Sequence, residues 1–222
     1  MAKSFGLRLI ITEEAMDDCK YEKIIDASRR LKRAIWKTVD IETTQMLVRM
    51  FNTAYVGGDG QPLGSASHTL PLGGTFSNIP GAAASPSKVA IVADTTAMRQ
   101  LPGHDGIVEG YEPEKVVFPT AQWATWEELV GSKFTPVTNN FAEINVVNSS
   151  LSLKLVPNKY WNNTTTHYMY LTDAPNKLNL RWRKRPEPTT WVENSQLLMN
   201  HAINGRWTRG WSDPRAAFCV NA

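Results

Sequence analysis

The residues best able to do chemistry in this chain are dispersed. His68, His104, His167 and His201 stand with no Cys or carboxylate at metal-ligand spacing, so no zinc site is expected. Gly57-Gly58-Asp59-Gly60 lacks the Gly-Lys-Ser/Thr ending of a phosphate loop and has no strand before it; it reads as a turn. Gly64-Ser65-Ala66-Ser67-His68 misses the closing Gly of a nucleophile elbow. Asp17-Asp18, near a helix start, reads as dipole compensation rather than a general acid/base pair. Asn148, Asn162 and Asn163 fit the glycosylation pattern, but no signal sequence gives that pattern a use. No catalytic set forms, and the expectation is a protein that is not an enzyme, with no cofactor and no metal.

Two constellations remain. Arg29, Arg33 and Lys37 are spaced by four, with Arg30 beside them and Asp26 four residues before Arg30 as its partner. This basic stripe could meet phosphates, although a basic run on a helix is more commonly a solvated face. The second constellation is Trp182, Trp191, Trp207 and Trp211, interleaved with Arg181, Arg183, Arg206 and Arg209. Such residues could stack on single-stranded bases, divide into a packed and a charged strand face, or sit at protein contacts.

The elements that must carry these residues follow from the pattern. Thr12 is an N-cap with Glu13 and Glu14 in the first turn, and the spacing predicts one helix to about Phe51–Thr53, with no Gly or Pro inside. Its apolar stripe is Ile24, Ala27, Leu31, Ala34, Thr38, Ile41 and Val48, widened by Ile35, Val39 and Met46. From Tyr55 to Pro86 Gly and Pro dominate, which predicts a long loop holding short strands or packed on a neighbour. A helix from Ser85-Pro86 to Leu101, a strand Lys115–Phe118 and a helix from Pro119 to Gly131 come next. Ser132–Asn145 reads as irregular. Strands are expected at Leu151–Val156, His167–Leu171, Leu178–Arg183, Trp191–Met199 and Arg206–Trp211, with a turn at Pro186–Pro188. The class is α+β.

Composition bounds the rest. The chain has 222 residues, 42% hydrophobic and 20% charged, with a formal net charge of +3. The residues from Lys20 to Lys37 hold seven basic side chains against Glu22 and Asp26, a net of +5, so the remainder nets −2. Basicity this local speaks against a dedicated nucleic-acid-binding domain. The longest apolar run, Val89–Ala93, is far too short for a membrane span, and no membrane partner is expected. Cys19 and Cys219 read as two free thiols in a reducing compartment.

Several segments together resemble tailed-phage major capsid (head) proteins. Phe5-Gly6-Leu7 and Ile11-Thr12-Glu13-Glu14 resemble the start of that family's spine helix. Phe51–Gly60, then His68, Pro71 and Gly73–Asn78, are similar to the turn region after it; Tyr170–Asn176 and Gly210–Arg215 are similar to two later segments. The matches keep the family's order and cover most of the chain. The resemblance implies the Hong Kong 97-type capsid fold, in a branch like the Mu-like head subunits. Residues 1–84 and 177–222 would be the peripheral domain, and 85–176 the axial domain.

By position, Lys133, Asn139 and Asn140 would lie in the loop reaching the five- or six-fold axis, and Arg185, Pro186, Glu187 and Pro188 would meet neighbours near three-fold positions. Arg29, Arg30, Arg33 and Lys37 would face DNA or the lumen. The implied partners are copies of the chain itself in pentamers, hexamers and a shell; packaged double-stranded DNA, bound without specificity; and a portal with a scaffold or protease. The implied location is the virion, with assembly in the host cytoplasm. Family members carry an N-terminal arm and an extended hairpin before the spine helix, whereas Met1 here stands just before Phe5. The expectation is a folded chain, mainly monomer or small ring at micromolar concentration. Two other readings compete: an encapsulin-like protein compartment, and a nucleic-acid-binding module that uses the helix stripe.

Overall fold

A computed structural model of the chain describes residues 2–18, 21–82, 84–134, 144–161, 167–172, 178–193 and 198–221. Helices and strands share it evenly, in an α+β arrangement of two compact units. Unit 1 comprises residues 1–43 and 180–210; unit 2 comprises 44–179 and 211–222. The packing boundary thus groups residues 44–84 and 211–222 with 85–176 rather than with the N-terminal helix.

Unit 1 is one sheet covered on one face by a helix. Strand β1 (Lys3–Thr12) pairs antiparallel with β8 (Leu198–Trp211), and β8 is flanked on its other side by β7 (Leu178–Glu193), in the order β1-β8-β7. Strand β1 was not foreseen: Phe5, Leu9 and Ile11 alternate with more exposed neighbours there, a period of two hidden next to a strong helix start. Thr12 does cap a helix, its hydroxyl accepting the Ala15 N–H at 3.3 Å. That helix, α1 (Glu13–Asp17), is short, because the Asp18 N–H closes it on the Glu14 and Met16 carbonyls. The continuous helix expected from Thr12 is therefore corrected to α1 and a separate α2 (Tyr21–Val48). Asp17 and Asp18 explain the stop: Asp competes for backbone hydrogen bonds, and carboxylates oppose the dipole at a helix C-terminus.

The far end of α2 also falls short of the expectation. Beyond Val48 the chain unwinds through turns, Asn52 N–H to Arg49 O and Tyr55 N–H to Asn52 O. The Asn52 side chain accepts the Ala54 N–H at 2.9 Å, an Asx turn that competes with another helical turn. The buried row of α2 runs through Leu31, Ile35 and Val39, which pack on Phe5, Leu180, Trp182, Ile203 and Trp207. Ala34, placed in the stripe by periodicity, is exposed.

Strand β7 corrects the expected turn at Pro186–Pro188. It is continuous through both prolines, and its place at the sheet edge permits this, since an edge strand can lack N–H donors on its open side.

Unit 2 is built on a four-stranded sheet, β4 (Lys115–Pro119), β5 (Lys154–Asn158), β6 (Tyr168–Leu171) and β9 (Ala217–Val220), in the order β5-β4-β6-β9. β4 and β5 are parallel; β6 pairs antiparallel with both β4 and β9. The helices α3 (Lys88–Arg99, capped by Ser87), α4 (Trp123–Gly131) and α5 (Val146–Ser150) complete it. One core gathers Ile91, Met98, Phe118, Trp126, Tyr168, Tyr170 and Phe218; a second gathers Met50, Leu63, Val117, Trp161, Met169 and Cys219. The Gly-rich region holds a small hairpin, β2 (His68–Thr69) and β3 (Thr75–Phe76), as its composition required. Its turn uses Gly73 and Gly74 at φ of 99° and 93°, which a side chain would strain. At Gly64 the demand is closeness instead: a Cβ would stand 2.7 Å from Phe51 and 2.8 Å from Cys219.

Candidate functional site

Within unit 1 the two layers set the side-chain directions. The α2 side chains opposite the Ile35–Val39 row are in solvent, among them Arg29, Arg30, Arg33 and Lys37. Arg30 bonds Asp26 at 2.6 Å with 77% of its side chain exposed, the pairing expected from their spacing. An exposed i,i+4 pair contributes only about 0.3–0.5 kcal/mol, so this one leaves the stripe's charge accessible without fixing it. Glu22, Asp26 and Asp40 are interleaved on the exposed surface of the same helix.

The sheet layer separates the interleaved Trp and Arg residues by parity. Trp182 and Trp207 point to the helix, Trp182 meeting Trp36 edge-on at 6.0 Å and Trp207 stacking on Phe5 at 4.5 Å. These rings are packing, not base-stacking platforms. Arg181, Arg183 and Arg206 are exposed on the opposite face. Arg209 has the helix-facing parity and forms an ion pair with Glu42. Trp211 falls in unit 2, against Gly57.

Of the residues placed at subunit contacts by position, Arg185, Glu187 and Pro188 are exposed on β7, and Pro186 is half-buried against Gly205. Lys133 is exposed, its carbonyl accepts the Asn145 N–H, and Phe134 bridges Ile144. Asn139 and Asn140 lie outside the described residues.

The polar heart of unit 2 was not foreseen as a unit, although its residues lie in the segments that carry the resemblance. His68 is fully buried, with Nδ1 2.5 Å from Asp59 Oδ2 and Nε2 3.1 Å from Asn78 Oδ1 and 3.2 Å from the Leu63 carbonyl. Asn78 Nδ2 donates to the carbonyls of Leu63, Pro214 and Ala217, and its Oδ1 accepts the Ser65 N–H. Burial works to raise the Asp59 carboxyl, but the His68 hydrogen bond, the Gln61 N–H and the His68 charge hold it below the usual carboxylate range. Next to this network, Arg215 donates from Nε to Asp213 and from Nη1 to the Pro102 carbonyl, with His104 beside Nη2 at 2.9 Å. Asp59, Phe76, His104, Trp211 and Arg215 line a recess of about 230 Å³.

What this arrangement can do chemically is limited by its partners. No hydroxyl lies on His68 Nε2, so the Asp59–His68 pair activates no nucleophile. Arg215 is saturated by Asp213 and Pro102 rather than aimed at an anion. Among the described residues there is no group of His, Cys, Asp and Glu fit to hold a metal ion. Burial pushes the Cys219 thiol up, which makes it unreactive. No helix among the described residues is long and apolar enough to cross a membrane. The network's work is to fasten the Gly-rich loop to the β9 segment.

A family model described as phage capsid protein matches residues 1–220. Among solved structures, the asymmetric unit of the bacteriophage PhiM1 mature capsid shares the fold with a TM-score of 0.60 at 10% identity, covering 99% of this chain and 70% of that one. Mycobacterium phage Patience gives 0.60 at 11% identity, covering 99% and 68%. The capsid of Myoviridae Phage XM1 gives 0.55 at 9% identity, covering 100% and 73%. A search of curated proteins finds no match. At such identities the structures speak for the fold, and the family match speaks for kinship along the chain. The chain belongs to the phage capsid protein family, a structural capsid subunit with the Hong Kong 97-type fold.

Proposed function

We propose that copies of this chain associate through five- and six-fold rings into the icosahedral shell of a phage head, around double-stranded DNA. The observation that carries this reading is the family match over residues 1–220 on a chain that folds as a capsid subunit throughout. In this reading α2 is the spine of the peripheral domain. Residues 85–176 are the axial domain, and their 132–145 loop, with Lys133, Asn139 and Asn140, meets ring neighbours. Arg185, Pro186, Glu187 and Pro188 meet other copies from the sheet edge. A portal and a scaffold or protease are partners of the same shell, the virion is its destination, and it assembles in the host cytoplasm.

Exposure supports contact roles for Lys133, Arg185, Glu187 and Pro188, and exposure alone supports a lumen-facing role for Arg29, Arg30, Arg33 and Lys37. Chemical cross-linking of the purified chain over rising concentration tests the ring step. A ladder of products ending at five or six copies is expected. A ladder that still ends at five or six copies when Lys133 is replaced by Glu would remove the 132–145 segment from the contact.

A further inference from the structure

The helix stripe is not the strongest anion surface of unit 1. The face of the β1-β8-β7 sheet turned away from α2 carries a second basic field, and register and packing define it. Arg8 on β1 is opposite Ala202 on β8, and Ser4 is opposite Arg206, so Arg8 and Arg206 share one face. The Arg8 guanidinium lies over the Trp191 ring at 5.9 Å, which places the odd-numbered β7 side chains on that face too. Leu180, Trp182, Ile203 and Trp207, of opposite parity to these arginines on their own strands, are the residues packed on α2. Arg181, Arg183 and Arg185 therefore stand in a row with Arg206 and Arg8 beside them, all exposed. None of the five forms an ion pair with a described residue.

Magnitudes decide between the two faces. Exposed charges on α2 are six basic (Lys23, Arg29, Arg30, Lys32, Arg33, Lys37) against three acidic (Glu22, Asp26, Asp40), and Arg30 is already paired. On the sheet face five exposed arginines oppose one exposed carboxylate, Glu187, with Glu193 half-buried at the strand's end. Along β7 the arginines recur at about 6.6 Å, twice the rise of a strand residue, and three strands make the face about 10 Å wide. That is a flat, largely unneutralised row of planar, permanently charged donors, the arrangement that suits a run of phosphates. An apolar protein partner would want a dry anchor; Trp182 and Trp207 are turned inward, and Trp191, the aromatic ring on this face, lies under the Arg8 guanidinium.

We infer that the solvent face of the β1-β8-β7 sheet, through Arg8, Arg181, Arg183, Arg185 and Arg206, binds the phosphate backbone of duplex DNA without sequence preference. This rests on the reading of the chain as a DNA-enclosing subunit, and it assigns the DNA contact to the layer opposite the helix stripe. The recognition is ionic, so its measure is salt dependence. Each neutralised phosphate adds about 0.9 to the slope of log affinity against log salt.

The test is fluorescence anisotropy of a short labelled DNA duplex with the full chain, from about 50 to about 200 mM salt. Arg181→Gln/Arg183→Gln/Arg206→Gln should flatten the slope by about 3 and weaken binding at least about tenfold at the lower salt. Arg29→Gln/Arg33→Gln/Lys37→Gln should change affinity less than about twofold, and Arg→Lys at the three sheet positions should keep the slope. If the triple sheet variant does not fold, Arg183→Gln alone should flatten the slope by about 1. Failure of the wild-type chain to bind duplex at the lower salt would overturn the inference. So would a larger loss from the helix variant than from the sheet variant. A third contrary result is displacement by polyglutamate at matched charge, which would make an acidic protein segment the occupant. Micrographs of the same preparations read the shell assignment separately, so loss of one does not imply loss of the other.

Discussion

His68 Nδ1 lies 2.5 Å from Asp59 Oδ2, while its Nε2 faces only acceptors, Asn78 Oδ1 and the Leu63 carbonyl. Both ring nitrogens are thus placed to donate, inside a fully buried site. The consequence is mechanical rather than catalytic: the Gly57–Gly60 turn is held to Asn78, and Asn78 is held to Pro214 and Ala217.

Asn78→Ala takes a donor from the carbonyls of Leu63, Pro214 and Ala217 and an acceptor from His68 Nε2 and the Ser65 N–H, while His68 Nε2 and the Leu63 carbonyl keep each other. A buried group left with no partner costs about 1–3 kcal/mol before relaxation, and a group that keeps one partner costs less. The expected loss is about 3–5 kcal/mol, read as a lower urea midpoint. Asp59→Asn should cost less, about 1–3 kcal/mol, because the amide that replaces the carboxylate still offers an oxygen to His68. Equal, small losses from both would show that the network is not what holds the loop.

The pH response has two opposing parts. Asp59, with its carboxyl held low in the folded state, contributes stability that is present above the unfolded carboxylate value and is lost as pH falls through the folded one. Asp94 behaves in the opposite way. Burial raises it to about 6, partly offset by tyrosine hydrogen bonds, of which the Tyr168 hydroxyl at 3.0 Å is one. With its folded value above the unfolded 3.8, stability falls as pH climbs between the two. Asp94→Asn keeps an oxygen for Tyr168 and should stabilise the chain above pH about 6, by up to about 3 kcal/mol, with no gain near pH 4. Urea melts at both pH values check this; a gain independent of pH would contradict it.

Much of the fold is legible in the residues, and the exceptions share a cause. β4 and the Trp126 helix announce themselves through unbroken apolar spacing closed by Pro and Gly. β1 does not, because its alternation is weak and its buried partner, β8, lies about 200 residues away in sequence. Pro186 and Pro188 suggest a turn only until β7 is known to be the edge strand, a fact of topology that local pattern lacks. The His68 network is equally hidden: Asp59, Asn78 and the 214–217 carbonyls are brought together by the fold, and no spacing rule links them. The arginine face was visible as an Arg/Trp interleave, but only the register shows which residues share a side.

Pro186 and Pro188 on an open edge suggest a further test. Edge prolines withhold donors from stray strands. Pro186→Thr/Pro188→Thr should leave the melting temperature of the monomer nearly unchanged and raise irregular, strand-mediated association in light scattering. A variant that melts earlier and does not associate would mean that the prolines serve packing against Gly205 instead.

As a capsid subunit, this chain works through repeated contact with copies of itself. Electron microscopy of the purified chain, concentrated stepwise from micromolar to millimolar, tests it most directly. Class averages of rings with five or six copies, accumulating with concentration, are expected. Single 24.8 kDa particles at every concentration, with no ring class at any salt, would contradict it.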